Sequence, residues 1–308
     1  MITKIPIDSS QKSQWDAIAK TNPIQAPFFA WAWHDLWRQT LAHGWEQYPL
    51  LVNNKVIAPF AKKDDQIKFS GGEEISDYHD LIGPNDQKDV AWKELLPFLN
   101  NEGVRTINLR NIPEDSSTRS FFQSIAGARV QQEDTTPVMT LPDTWDAYIE
   151  SLPYKNRHEL ERKLRKFQRE HPNATLKKSD SPSSDIDILL SLMEKDEKKR
   201  DFLTPDMRKF FKEIVRVFKE DICVLVVWFD GTPAAATLSF VNAHTTYLYN
   251  SGYDKACCTN AGFYTKAMTI KHAIEAGRKT YNFLQGNERY KFELGGKDFG
   301  VYRAQYHL

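Results

Sequence analysis

The chain has 308 residues, enough for two domains or one large domain with a substantial apolar core. Its 41 Lys and Arg balance its 41 Asp and Glu, so no overall charge draws it to nucleic acid or to an anionic membrane. Its three cysteines, Cys223, Cys257 and Cys258, lack the spacing of a disulfide framework or a zinc site, which indicates a reducing compartment.

The first half of the chain alternates strands and helices. In chain order, the pattern predicts a strand at 2–7, helices at 11–20 and 29–42, strands within 48–69, a helix at 90–100, a strand at 105–109, a short helix at 117–125 and a strand ending near 141. In the second helix, Phe29, Trp33 and Trp37 recur every four residues, which favours core packing over carbohydrate stacking.

The second half shows the same mixture. Helices are predicted from 145 and 155, followed by a strand at 175–178, helices at 185–195 and 204–219, and strands at 222–229 and 234–241. Segment 179–185, SDSPSSD, has the composition of a flexible loop. Mixed strands and helices in both halves indicate an α+β or α/β fold, of which we favour α+β.

The helix at 155–170 carries seven basic residues against three acidic ones. Its apolar stripe consists of Leu160, Leu164 and Phe167, so most of the charges belong to an ordinary solvated face. The surplus of positive charge can also attract an anionic substrate.

Residues 245–291 form the most informative stretch of the chain. They predict a strand containing Tyr247 and Tyr249, a glycine-containing loop, an amphipathic helix and a second strand at 281–284. The start of a helix presents free N–H groups and the positive end of the helix dipole, which suits the phosphates of a nucleotide-like cofactor. The polar cluster GNERYK follows at 286–291, and this combination suggests a group-transfer enzyme.

Ordinary helix signals account for much of the same stretch. Thr259 or Asn260 is the expected N-cap, and Gly277 is the expected residue just past the helix end. The predicted apolar face consists of Phe263, Ala267, Ile270 and Ile274. Capping alone therefore remains an alternative to ligand binding.

Eight segments occur in an order typical of a known family. They are 28–31 FFAW, 77–80 DYHD, 152–166 LPYKNRHELERKLRK, 199–200 KR, 230–236 DGTPAAA, 252–254 GYD, 260–262 NAG and 286–291 GNERYK. Together they resemble the GNAT superfamily of N-acyltransferases, closest to the branch of the cellulose-biosynthesis (CelD-like) acetyltransferases and the Fem-like transferases.

This resemblance implies tandem GNAT-like domains, 1–143 and 144–308, with mixed central sheets flanked by helices and the donor site in the second domain. It also implies that acetyl-CoA or another acyl-CoA is the co-substrate. The expected donor-binding residues are Asn260, Ala261, Gly262 and Phe263. Of the better-known GNAT loop Q/R-x-x-G-x-G/A, only Gly262 has a counterpart here.

Acyl transfer to an amine needs a positioned donor, a neutral amine and hydrogen-bond donors for the developing oxyanion. The resemblance implies that Lys291 stabilises the oxyanion or a phosphate, while an ion pair between Lys291 and Glu288 is the structural alternative. Glu288 or Asp254 is the candidate proton acceptor, and Tyr290 or Tyr253 is the candidate proton donor to the leaving group.

Candidate substrate contacts lie in several segments. The resemblance implies a role for Arg157 near the start of the basic helix. Five further residues are assigned to substrate binding, namely Asp77, Tyr78, Asp80, Arg200 and Tyr253. The acidic residues around His79 leave a metal site open, but we expect none.

Three functions remain open. The first is an N-acyltransferase acting on an amine of a small metabolite, an amino sugar or a cell-envelope precursor. The second is a Fem-like transferase that uses aminoacyl-tRNA, although the balanced charge argues against a tRNA partner. The third is a non-catalytic GNAT-shaped module in polysaccharide biosynthesis. A Cys257 nucleophile paired with His272 is a weaker alternative.

Localisation and partners follow from what the sequence lacks. The N-terminal segment has no apolar signal-peptide core, and no run approaches the roughly 20 apolar residues that a membrane helix needs. We therefore expect a cytoplasmic protein with no integral membrane segment. No DNA partner is expected, and the sequence does not determine the oligomeric state.

Overall fold

The computed structural model describes all 308 residues, which form two compact units. Unit 1 contains Met1–Thr136 and Phe299–Leu308, and unit 2 contains Pro137–Asp298. The sequence-based division at 143/144 therefore differs from these units at residues 137–143 and at the C-terminus. Both differences come from long-range strand pairing, because local periodicity indicates which face of a strand is buried but not which strand lies beside it.

Unit 1 contains six strands from the first part of the chain and one from its end. They are β1 (Ile2–Lys4), β2 (Glu46–Val52), β3 (Val56–Lys63), β4 (Gln66–Phe69), β5 (Thr106–Pro113), β6 (Arg129–Thr135) and β13 (Gly300–His307). The helices are α1 (Lys12–Ala19), α2 (Trp31–Thr40), α3 (Asn85–Asn101) and α4 (Ser117–Ser124). The sheet order is β1-β2-β3-β4-β5-β13-β6, with one parallel pair, β4 and β5.

The C-terminal strand β13 lies between β5 and β6 and is antiparallel to both. Val301 pairs with Pro113 on one side and with Asp134 on the other, and Val301 and Ala304 are fully buried. The last residues of the chain therefore complete the sheet and core of unit 1. This strand is absent from the elements predicted from the sequence.

The aromatic residues near position 30 belong to the core of unit 1. Phe28, Trp33 and Trp37 are buried, and the rings of Phe28 and Trp33 meet edge to face at 4.9 Å. The prediction of core packing is confirmed. Trp33 also donates from Nε1 to the Gly71 carbonyl oxygen and to Ser76 Oγ, which satisfies its polar atom inside the core.

Unit 2 contains the remaining six strands and seven helices. The strands are β7 (Val138–Thr140), β8 (Thr175–Lys178), β9 (Ile222–Phe229), β10 (Thr232–Val241), β11 (Thr245–Tyr253) and β12 (Thr280–Asn282). The helices are α5 (Trp145–Ser151), α6 (Tyr154–Glu170), α7 (Pro182–Met193), α8 (Glu197–Phe202), α9 (Pro205–Val217), α10 (Ala261–Glu275) and α11 (Arg289–Glu293). The sheet order is β7-β12-β11-β10-β9-β8.

Helix α10 ends as the sequence predicts. Gly277 has φ +72°, its N–H donates to the Ile274 carbonyl oxygen, and the N–H of Arg278 donates to the Ala273 carbonyl oxygen. These two hydrogen bonds form a Schellman motif, which favours glycine at this position. The start of the helix differs from the prediction. Asn260 occupies the N-cap, but it is left-handed at φ +64° and its side chain makes no capping hydrogen bond.

The predicted flexible loop at 179–185 is shorter in the structure, because helix α7 begins at Pro182. Proline suits the first turn of a helix, where its missing N–H costs no hydrogen bond. No helix of the protein combines the length and the apolar character needed to cross a membrane.

Candidate functional site

The site begins where the only parallel pair of strands in unit 2 separates. Strands β11 and β12 pair from Thr245 and Thr280 to Tyr247 and Asn282. Strand β11 then continues to Tyr253, whereas β12 ends at Asn282. A gap therefore opens between the second half of β11 and the segment that follows β12. Ligands of α/β proteins bind at the carboxyl ends of parallel strands where the neighbouring connections diverge.

One side of this gap is formed by β11 and helix α7. Gly252 lies so close to the end of α7 that a Cβ atom there would stand 2.5 Å from the backbone nitrogen of Met193. Beside this contact is a cavity of about 350 Å³, lined by Leu192, Lys195, Asp196, Lys199 and residues 251–256. This volume lies in the range of small-molecule sites.

The N-terminus of α10 lies next to Tyr253. Gly262 packs against the Tyr253 ring, and a Cβ atom at this position would stand 2.7 Å from Cδ1. The backbone N–H groups of Gly262 and Phe263 make no backbone hydrogen bond, as expected for the first turn of a helix. The predicted donor-binding residues 260–263 therefore form one helix start whose N–H groups suit a diphosphate.

Asp254 holds the loop that leads to this helix. Its carboxylate accepts hydrogen bonds from the backbone N–H groups of Ala256 at 2.9 Å and Cys257 at 3.3 Å, and it pairs with Lys195 at 3.3 Å. The Ala256 hydrogen bond is the main reason that the pKa of Asp254 lies below its usual value. The structure thus places Asp254 as a loop-ordering carboxylate and a weak base.

The other side of the gap is the loop after β12, and Lys291 organises it. Lys291 is buried, and its Nζ donates to the carbonyl oxygens of Leu284 and Gln285 and pairs with Glu288 at 3.0 Å. These three acceptors match the three hydrogens of an ammonium group. Position 286 favours glycine for two reasons. Its φ is +118°, and a Cβ atom there would overlap the Glu288 carboxylate.

Glu288 is the acidic partner in this loop, and its side chain is 57% exposed. Partial burial raises the pKa of Glu288, but the charge of Lys291 and the hydrogen bonds outweigh it, so the pKa lies below its usual value. The structure therefore contains the ion pair between Lys291 and Glu288 that was the structural alternative.

Two tyrosines face a lysine that the sequence analysis did not single out. Lys266 is 9% exposed, and its Nζ lies 4.2 Å from the centre of the Tyr290 ring and 5.6 Å from that of Tyr253. Burial, followed by the positive charge of Lys199, lowers the pKa of Lys266 to about 8. Burial also raises the pKa of Tyr290, which keeps its hydroxyl protonated.

Lys199 is the third lysine of this neighbourhood. Its Nζ donates to the carbonyl oxygen of Ser251 on β11, and burial lowers its pKa. The adjacent Arg200 points elsewhere and donates from Nε to the Glu194 carbonyl oxygen near the end of α7. Of the predicted pair, Lys199 lines the cavity and Arg200 orders a helix end.

Arg157 lies on a different face of unit 2. It lines a groove between α5 and α6 with Trp145 and Glu161, and its guanidinium lies 5.8 Å from the centre of the Tyr154 ring. None of these residues belongs to the gap between β11 and β12. The structure therefore does not bring Arg157 together with the lysines of the site.

The three predicted substrate contacts at 77–80 lie in unit 1. Asp80 is buried, pairs with Lys88 at 2.6 Å and accepts hydrogen bonds from Ser116 and Thr118. Tyr78 is buried and donates to Thr136 Oγ1 at 2.7 Å. These two side chains stabilise the core of unit 1, whereas Asp77 is partly exposed. No group of three or more His, Cys, Asp or Glu side chains forms a metal site.

The cysteine alternative receives no support from the geometry. Burial raises the pKa of Cys257, and it raises that of Cys258 to about 11. Both thiols are therefore protonated at neutral pH, although they lie close to a helix N-terminus. His272 lies about three turns beyond the start of α10 and makes no hydrogen bond to either thiol.

The sequence-based site prediction includes the helix start and the GNERYK cluster but does not include Lys266. The sequence does contain a signal. Lys266 is four residues after Gly262 and four before Ile270, so it shares the buried face of α10. A lysine on the core-facing side of a helix is rarely buried without a reason.

One part of the chain matches a known domain family. Residues 154–292 match the acetyltransferase (GNAT) domain family, and this range contains the whole gap, Lys199, Lys266 and Lys291. Several solved structures resemble the chain over most of its length, and three of them serve as examples. FemX has a TM-score of 0.69 at 13% identity, with 100% of this chain and 97% of that chain covered.

The other two are more distant. The C-terminal domain of a putative lysylphosphatidylglycerol synthetase from Agrobacterium fabrum has a TM-score of 0.64 at 12% identity, covering 96% and 92% of the two chains. A tandem GNAT protein from the clavulanic acid biosynthesis pathway has a TM-score of 0.53 at 10% identity, covering 99% and 97%. No curated protein matches the chain.

The fold prediction is confirmed: the chain has two mixed sheets flanked by helices, in the GNAT fold, with tandem-domain neighbours. At these identities the solved structures show the fold alone. The GNAT domain match is confirmed for 154–292, while the CelD-like branch stays a prediction.

Proposed function

We propose that the protein is an N-acyltransferase that moves an acyl group from acyl-CoA to an amine of a small metabolite, an amino sugar or a cell-envelope precursor. The observation that carries this proposal is the position of the α10 N-terminus. Its free N–H groups at Gly262 and Phe263 lie beside the gap between β11 and β12, next to a cavity of small-molecule size.

In this proposal residues 260–263 bind the donor's diphosphate through backbone N–H groups. Glycine at 262 is required because Tyr253 leaves no room for a side chain. Acyl-CoA, when bound, supplies a thioester that an amine can attack. Tyr253 and Lys199 line the cavity in which we place the acceptor.

The role of Lys291 follows from its contacts. Since its three hydrogens are donated to the Leu284 and Gln285 carbonyl oxygens and to Glu288, we assign it the task of holding the loop that forms one side of the site. A loop fixed in this way keeps Tyr290 against Lys266.

The first test is thermal unfolding with acetyl-CoA, longer acyl-CoAs and free CoA. A ligand at about 100 times its dissociation constant adds roughly 2.7 kcal/mol of stability, a rise of a few °C in the melting temperature for a unit of this size. Gly262→Glu should abolish the rise, because it places a bulky negative group at the helix start. Ala276→Glu puts the same charge at the opposite, exposed end of α10 and should preserve it.

The second test is transfer itself, measured as release of free thiol from the best acyl-CoA in the presence of a panel of amino acids, amino sugars and polyamines. Acceleration by one class of amine identifies the acceptor. Binding of acyl-CoA without acceleration by any amine would instead favour the non-catalytic module.

An aminoacyl-transfer alternative has support from the fold neighbours, since FemX and the synthetase domain cover nearly the whole chain. If no CoA compound raises the melting temperature, this alternative gains weight. Retention of labelled aminoacyl-tRNA on a filter by the wild-type protein, with loss in Gly262→Glu, would then support it.

A further inference from the structure

Lys266 stands out because its amine has no hydrogen-bond acceptor. The residue is 9% exposed, and its contacts are the faces of Tyr290 and Tyr253. Tyr253 ends β11 and Tyr290 follows β12, so Lys266 lies between the two sides of the gap where these strands separate. It is also one turn along α10 from Gly262, on the same face of the helix.

Most of the charged groups around Lys266 disfavour its protonated, ammonium form. Lys199 approaches from α8 and Lys291 from α11, and both repel an ammonium at 266. Glu288 is the one negative group among them, and its carboxylate is already paired with Lys291 at 3.0 Å. Burial and the positive charges of Lys199 and Lys291 outweigh the negative charge of Glu288 and bring the pKa of Lys266 down to about 8. Ordinary lysines stay charged throughout the neutral range.

The carboxylates of the site are poor candidates for a general base. Asp254 is engaged by two backbone N–H groups and Lys195, and Glu288 is engaged by Lys291. Both have pKa values below the usual range, which makes them weak proton acceptors near pH 7. An effective general base has a pKa near the pH at which it works.

We propose that Lys266 is the general base of the transfer: its uncharged amine, held in the gap between β11 and the segment after β12, takes a proton from the acceptor's ammonium group. This inference rests on the proposed function and deepens it. The acceptor class is accordingly an amine that is protonated in solution, such as an amino acid or an amino sugar.

The step balances in protons and electrons. The ammonium R–NH3⁺ gives one proton to the Lys266 amine and becomes R–NH2. The nitrogen lone pair forms the C–N bond, the C–S bond of the thioester breaks, and its electron pair leaves with sulfur. A second proton passes from the nitrogen to sulfur, and Lys266 returns the first to solvent. The products are an amide, free CoA thiol and one released proton.

The protonation of Lys266 can be measured without turnover. Protein labelled with ¹³C at lysine Cε gives one resonance per lysine, and the resonance absent from Lys266→Arg identifies Lys266. We expect it to titrate near pH 8 in the wild-type protein. A titration midpoint near that of an ordinary lysine would overturn the proposal.

Kinetic measurements then show whether Lys266 acts as a base or as a positive charge that holds an anionic substrate. Arginine keeps the positive charge but cannot accept a proton at neutral pH. We expect Lys266→Arg and Lys266→Met to lower kcat for the best amine of the panel about 100-fold or more, while acyl-CoA still raises the melting temperature. Lys271→Arg, an exposed change on the same helix, should behave as wild type.

Each outcome decides a different claim. Full activity of Lys266→Arg with loss in Lys266→Met would overturn the base and assign an anion-binding cation instead. A wild-type protein that binds no acyl-CoA refutes the proposed function, and the inference falls with it. A wild-type protein that binds and transfers, with unchanged kcat in both variants, refutes only the role of Lys266.

Discussion

Gly262 and Tyr253 are in direct contact, so close that a Cβ atom on residue 262 would stand 2.7 Å from the ring carbon Cδ1 of Tyr253. Real Cβ atoms essentially never come this near a ring, so any side chain at 262 must displace the tyrosine. This contact joins the helix start to the end of β11, the two elements on which the proposed donor site depends.

Gly262→Ala should therefore destabilise the protein, although alanine favours a helix by about 1 kcal/mol over glycine. Overpacking of this kind typically costs about 1–3 kcal/mol, which we expect as a lower free energy of unfolding in urea. The matched test is the same change in a Tyr253→Ala background, where the ring is absent. If Gly262→Ala is as costly there as in the wild type, the contact with Tyr253 is not the cause.

Much of this region could be predicted from local sequence. The spacing of Ala267, Ile270 and Ile274 gives the buried face of α10, and Gly277 ends the helix because a left-handed residue is needed there. These features depend on residues within one or two turns of each other. Helix periodicity and capping report such local relationships directly.

Features that depend on distant segments were not predictable in the same way. The sequence does not show that β13 lies between β5 and β6, since strand partners far apart in sequence leave no local pattern. It also does not show that Lys291 donates to the carbonyl oxygens of Leu284 and Gln285, because these two contacts depend on how the loop after β12 folds.

Lys291 should contribute to the stability of unit 2 through its loop contacts. Lys291→Met removes the donor to the buried carbonyl oxygen of Leu284 and the donor to the partly buried carbonyl oxygen of Gln285. An unsatisfied buried acceptor costs about 1–3 kcal/mol, so we expect a loss of that size in the free energy of unfolding. Lys271→Met, which breaks an exposed pair with Glu275, should cost less than about 0.5 kcal/mol. Equal effects of the two changes would show that the Lys291 contacts contribute little.

Two buried histidines should make unit 1 sensitive to acid. Burial lowers the pKa of both His34 and His79 to about 3. The buried Nε2 of His34 and both buried ring nitrogens of His79 have no hydrogen-bond partner. The positive charges of Lys68 and Arg110 add to the effect on His79. Both rings are therefore neutral in the folded protein at neutral pH.

The direction of this pH effect on stability follows from the number of protons bound by the folded and the unfolded state. Between pH 6.5 and about 3 the unfolded chain protonates these histidines and the folded chain does not, so the unfolded state binds more protons. Stability should fall as the pH drops below about 6.5, by up to about 1.4 kcal/mol per pH unit for each histidine. Melting temperatures between pH 7 and pH 4.5 measure this slope. His79→Leu should remove about half of the histidine contribution, and an unchanged slope would exclude His79 as its source.

The C-terminal strand should be required for unit 1 but not for unit 2. Deletion of residues 300–308 removes β13, which pairs with β5 on one side and β6 on the other, and it removes the buried side chains of Val301 and Ala304. The edges of β5 and β6 then lose their hydrogen-bond partners, which leaves backbone groups unsatisfied. We expect fast amide hydrogen exchange throughout β5 and β6, with protection retained in β9, β10 and β11 of unit 2. Protection of β5 and β6 at the level of the full-length protein would show that unit 1 forms its sheet without the last strand.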